Sequence, residues 1–150
     1  MFTLEKDTGR KRSLIFLALV LLGATVYYFF VAQGTPAMHF SRETRTFAFS
    51  GPKHTSVQFS FDNLTTFELY SGDVPDWGQA VTGGEVLGGH RWGVWESGTI
   101  GTYEAYVTAR IHHYILVSDG EKTAVFNTSN NETTDSLYQQ MLAFKNGELK

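Results

Sequence analysis

The chain has 150 residues, 42% hydrophobic and 18% charged, enough for one domain of ordinary size and an appendage. That balance excludes a disordered tail or a coiled coil. The lack of cysteine excludes a disulfide scaffold, a thiolate nucleophile and any cysteine-ligated zinc or iron–sulfur centre. The net charge of −3 divides unevenly, with +2 on residues 1–32 and −5 on residues 33–150. An acidic body is a poor partner for nucleic acid or anionic headgroups, whose binding rests on Lys and Arg meeting phosphates.

Residues 1–12 form a short polar tail. Ser13 to Ala32 then runs twenty residues without a charge. A helix of that length reaches about 30 Å, the thickness of a bilayer's hydrocarbon core. Leu14, Ile15, Leu17, Val20 and Leu21 fall all round such a helix, leaving no polar face. Tyr27, Tyr28, Phe29 and Phe30 cluster at its far end, where aromatic rings favour the membrane interface. A cleavable signal peptide has an apolar core of about 7–15 residues and a small-residue exit. The longer run and bulky exit here predict an uncleaved membrane anchor. Lys6, Arg10, Lys11 and Arg12 precede it, the last three crowding its start, whereas the fifteen residues after it, Gln33 to Phe47, offer Arg42 and Arg45. The bias predicts a cytoplasmic N-terminus and an extracytoplasmic body.

Residues 33–41, with Gly34 and Pro36, read as a linker, and residues 42–146 as the folded domain. There the pattern changes to period-2 alternation. Phe47 and Phe49, then Val57, Phe59 and Phe61, then Phe67 and Leu69 mark three short strands joined by turns, an antiparallel meander. Ser71 to Gly89 is glycine-rich loop around one weak strand near Gln79. Arg91 to Glu96 and the β-prone stretch Thr99 to Ile111 follow. Tyr114 to Ser118 and Thr123 to Asn127 flank Asp119-Gly120, the signature of a type I′ hairpin turn. From about residue 131 to 146 the period becomes helical through Leu137, Met141 and Phe144, and Gly147 stops the helix. The expected fold is mainly β, with about seven strands capped by a C-terminal helix.

The segment Val86 to Val107 resembles the central part of bacterial pleckstrin-homology-like domains. Gly88, Arg91, Gly93, Gly98, Gly101 and Tyr103 stand where that family has glycine, arginine and a Gly-x-Tyr/Phe run before a long strand. The resemblance implies a bent antiparallel sheet or barrel capped by one helix, beside a transmembrane segment and without enzymatic activity. Lipid-binding relatives hold phosphoinositides with several basic residues in the first hairpin loop. The matching loop here, Ser50 to His54, has one lysine, which cannot make a multidentate phosphate site.

The residues that invite chemistry are few. His112-His113 would point to opposite faces of a strand and cannot readily chelate one ion. The paired glycines lack the context of a phosphate loop, and no hydrolase or metalloprotease motif is present, so no catalytic residue, metal or cofactor is assigned. Trp77, Arg91, Trp92 and Trp95 are the candidate partner-binding residues, because Trp and Arg are enriched in interaction hot spots. The odd spacing of Trp92 and Trp95 puts them on opposite strand faces, predicting one in the core and the other exposed or at a sheet edge. The sequence thus points to a non-enzymatic, single-pass membrane protein whose body binds another membrane protein as an accessory subunit. The alternative is an extracytoplasmic ligand-sensing or carbohydrate-binding module built on Trp77, Arg91 and Trp92.

Overall fold

In the computed structural model, the described residues are 5–27, 35–51, 55–71, 76–87 and 89–149. The chain forms two compact units, Met1–Gly34 and Thr35–Lys150. The first is the helix α1, Glu5–Tyr27. From Arg12 to Tyr27 every residue is exposed, including Leu14, Phe16 and Leu22 at 58%, 70% and 61%. Among the described residues no helix is long and apolar enough to cross a membrane. The expected span runs on through Tyr28, Phe29 and Phe30 to Ala32, which lie outside the described residues.

The second unit is mainly β, with a C-terminal helix. Strands β1 (Ala37–Ser41), β2 (Thr46–Ser50) and β3 (Ser56–Ser60) pair as an antiparallel meander. The second sheet holds β4 (Thr66–Tyr70), β5 (Gln79–Ala80), β6 (Glu85–Leu87), β7 (His90–Ser97), β8 (Gly101–Thr108), β9 (Tyr114–Ser118) and β10 (Thr123–Phe126). Its order is β4-β9-β10-β8-β7-β5, with β6 also on β7, and β10 runs parallel to β8. Helix α2 spans Asn131–Lys145.

Several expectations are corrected here. Among the described residues, ten strands in two sheets replace about seven in one bent antiparallel sheet. The linker contains a strand, because Ala37–Ser41 supplies backbone partners for the whole length of β2. The third strand of the expected meander, β4, leaves its neighbour: a 3-10 turn at Phe61–Asn63 redirects the chain, and β4 pairs with β9. The β9–β10 hairpin forms as expected, but its loop has four residues, since Ser118 pairs with Thr123. Asp119 accepts hydrogen bonds from the Glu121 and Lys122 amides and Gly120 alone in the loop has positive φ, which is not a type I′ turn.

Both faces of the central strands are buried. On one face Phe47, Phe49, Val57 and Phe59 of the small sheet meet Trp92, Tyr106, Ile115 and Phe126, with Met141 and Phe144 from α2. The Phe49 and Phe126 rings stack at 4.5 Å between centroids. The other face gathers Trp77, Trp95, Tyr103, Ala105, Val107, Tyr114 and Val125. Asn130 caps α2 by accepting from the Thr133 amide, and Gly147 at φ 77° ends it.

Candidate functional site

The four candidate partner-binding residues divide between the two faces. Trp77, Arg91 and Trp95 come together, because positions 91 and 95 share one face of β7 with Tyr103, Ala105 and Val107 of β8. The Arg91 guanidinium carbon lies 4.8 Å from the Trp95 ring centroid and 5.5 Å from that of Trp77. Two such cation–π contacts, partly shielded from water, contribute on the order of 1–2 kcal/mol each. Trp92 is on the opposite face, beside Tyr106.

Neither Trp92 nor Trp95 is exposed, so of the two alternatives for the second indole the exposed one is corrected. Trp77, Trp92 and Trp95 retain 8%, 3% and 5% of their surface. Alternation assigned the two indoles to opposite faces correctly; it carried no information on what covers each face. The carbohydrate platform drawn from Trp77, Arg91 and Trp92 is divided by the sheet, so these side chains do not form one surface.

The Arg91 cluster is closed by backbone bonds. The Tyr103 hydroxyl donates to the Trp77 carbonyl at 2.8 Å, and the Ser97 hydroxyl to the Asp76 carbonyl at 2.7 Å. The Trp95 indole N–H donates to the Trp92 carbonyl at 2.9 Å. Arg91 Nε is buried and has no hydrogen-bond partner among the described residues. Tyr103 and Tyr114, not among the candidate partner-binding residues, complete this aromatic filling.

Those tyrosines yield a pH prediction. Burial pushes Tyr103 and Tyr114 up to about 12. It also raises Tyr106, whose hydroxyl donates to Glu104 at 2.8 Å. An unfolded tyrosine loses its proton near 10, so between about 10 and 12 the folded chain binds more protons. Stability is therefore fully present below pH 10 and falls as the pH rises, by about 1.4 kcal/mol per pH unit per buried tyrosine. In an alkaline titration, the phenolate absorbance of these residues should rise together with loss of near-ultraviolet dichroism. Their ionisation near pH 10 in a still-folded chain would contradict the assignment.

The remaining titratable contacts are local. His112 and His113 lie in the loop before β9, not on a strand as expected, and both amides donate to Asn131 Oδ1. His113 Nδ1 sits 2.6 Å from Asp135 Oδ1, which ties this loop to the first turns of α2. Among the described residues no three histidine, aspartate or glutamate side chains gather as a metal site. Arg10, Lys11 and Arg12, expected to set topology, fall within α1, and Leu14, Ile15, Leu17, Val20, Leu21 and Tyr27, expected in the anchor, follow them along it. No family model, curated protein or solved structure matches the chain.

Proposed function

We propose that this chain is a non-enzymatic, single-pass membrane protein that presents a small β domain as a binding or scaffold module. Its occupation is that of an accessory subunit in a membrane or envelope complex. The observation that carries this reading is the surface of α1. From Ser13 to Tyr27 it has no charge, and Leu14, Ile15, Phe16, Leu17, Leu19, Val20, Leu21 and Leu22 are each at least half exposed. Burying one such side chain in hydrocarbon is worth about 1.5–3 kcal/mol, a driving force that water cannot satisfy. Fifteen residues make about 22 Å of helix, and the sequence stays uncharged through Ala32.

Arg10, Lys11 and Arg12 support a cytoplasmic N-terminus, with residues 35–150 outside. The −5 charge after residue 32 disfavours nucleic acid and polyphosphoinositides and leaves a protein partner as the fitting class. The likeness to pleckstrin-homology-like domains agrees with a β body closed by a C-terminal helix. The parallel β8–β10 pair and the two-sheet order are not part of what that likeness implies, so the reading rests on the anchor and the charge.

The test is purification of the full chain, tagged, from its native membranes in a mild non-ionic detergent, followed by mass spectrometry. One membrane protein should co-elute in fixed stoichiometry. It should be lost when residues 13–32 are replaced by an unrelated apolar helix. Recovery of the chain alone across several detergents would overturn the subunit reading.

A further inference from the structure

At one end of the larger sheet, where β7 begins, β8 ends and β10 leaves for α2, lies a pocket of about 360 Å³. His90, Thr108, Arg110, Thr128 and Ser129 line it, and Thr35-Pro36 closes one side. All of these residues belong to the unit formed by residues 35–150. The pocket does not depend on the proposed anchor.

Its floor is fixed by the sheet. The β7–β8 register sets His90 opposite Thr108, with His90 Nδ1 3.0 Å from the Thr108 hydroxyl. Asn127, fully buried, accepts from the Thr108 amide at 2.7 Å and donates to the Thr108 carbonyl at 3.1 Å. This pins the end of β8 and leaves the Thr108 side chain to the pocket. Thr128 is held from the other side, where its amide donates to the buried Thr134 hydroxyl at 3.1 Å.

The charge of the pocket is opposite in sign to the −5 net charge of residues 33–150. Arg110 is exposed and has neither an ion pair nor a hydrogen bond among the described residues. Glu132 borders the neighbouring depression with Arg110 but makes no ion pair with it. Among the described residues no carboxylate lines the pocket itself. Burial and then the Arg110 charge hold His90 below its ordinary value, so the two basic groups face one another without a neutralising partner. A domain carrying −5 has carboxylates to spare. Placing an arginine and a histidine around three hydroxyls, with none of those carboxylates between them, makes a receptor for a negative group.

We propose that this pocket binds a small phosphate-type oxyanion. Arg110 supplies the charged donor, and His90 Nε2 and the Ser129 hydroxyl supply neutral ones, while the Thr128 hydroxyl donates within the domain to the Asn130 carbonyl at 3.2 Å. With the Thr108 hydroxyl donating to Nδ1, Nε2 carries the imidazole proton and is free to donate. A single arginine suits one phosphate-type group, carried on a soluble molecule or on a lipid headgroup, and not a polyphosphoinositide.

The test is nuclear magnetic resonance of the full chain in phosphate-free maltoside micelles. Inorganic phosphate is titrated into one sample and phosphatidylglycerol into another. Saturable shifts of the His90 ring and the Thr108, Thr128 and Ser129 amides are expected. Arg110→Gln, a change at an exposed position, should weaken the response about tenfold or more, the loss expected for a charged hydrogen-bond donor. Saturation with inorganic phosphate assigns a soluble oxyanion; saturation with phosphatidylglycerol alone assigns a headgroup. No saturable shift with either probe, or equal shifts in Arg110→Gln, would overturn the proposal.

Discussion

With arginine at both Leu19 and Leu22, the chain should leave the membrane fraction. The two positions are three residues apart on α1, on one helix face near the middle of the uncharged run, and both are 61% exposed. An arginine at a helix centre costs about 2.5–3.5 kcal/mol on the insertion scale, so the pair costs roughly 6 kcal/mol. Snorkelling toward an interface would relieve part of that, but neither side chain starts near an end of the span. The parent chain should resist extraction at alkaline pH, whereas Leu19→Arg/Leu22→Arg should be extracted or degraded. Leu19→Ala/Leu22→Ala should stay with the membrane. Release of the parent by alkali would show that α1 is not an anchor.

The same experiment reads orientation, because a chain without cysteine accepts one thiol as a unique label. Ser129→Cys is exposed in the β unit and should react with an impermeant maleimide on intact cells. Thr8→Cys, before the apolar run, should react only after the cells are opened. The reverse pattern would invert the topology set by Arg10, Lys11 and Arg12. It would leave the anchor itself standing.

What the sequence revealed, and what it hid, follows the range of the interactions involved. The β9–β10 hairpin was legible because Ile115 and Val117 alternate beside Asp119-Gly120, and both signals are local. Helix α2 was legible because Leu137, Met141 and Phe144 repeat at helical spacing and pack on the core. The pairing of β4 with β9 joins Phe67 to Val117, fifty residues away, and no local pattern encodes it. The parallel β8–β10 pair is hidden for the same reason. Strand β1 was missed because Gly34 and Pro36 made the preceding stretch look like a spacer. Pairing along all of β2 decides the conformation of Ala37–Ser41 instead.

The indoles show a different limit. Alternation gave Trp92 and Trp95 their faces correctly, yet both faces of β7 are covered, so neither ring is exposed. The Arg110 pocket escaped notice because His90 and Arg110 are twenty residues apart. Only the β7–β8 register, His90 against Thr108, brings them to the same end of the sheet. A lone histidine and a lone arginine in a glycine-rich sequence carry no signal until that register is known.

The second large effect is expected at Gly93, in the middle of β7. Its φ is 76°, a conformation that costs a residue with a Cβ about 1–2 kcal/mol. Gly101, at the start of β8, has φ 82° and incurs the same strain. The two sites differ in space. A Cβ at Gly101 would meet nothing within 4 Å, whereas one at Gly93 would lie 2.1 Å from the Gly83 carbonyl oxygen. That oxygen is backbone and cannot rotate away like a side-chain tip. It belongs to a turn held by the Gly84 amide to the Val81 carbonyl at 3.1 Å and the Val81 amide to the Val94 carbonyl at 2.9 Å. To admit the methyl group, either this turn lifts and breaks those bonds, or β7 shifts and drags Trp92 and Trp95 within their two cores. Gly101→Ala should therefore cost about 1–2 kcal/mol in urea unfolding of the full chain, strain alone. Gly93→Ala should cost at least about 3 kcal/mol, the sum of strain, lost backbone bonds and disturbed packing. Equal costs for the two variants would mean that the Gly83 turn does not rest on β7, because strain without a clash would then account for both.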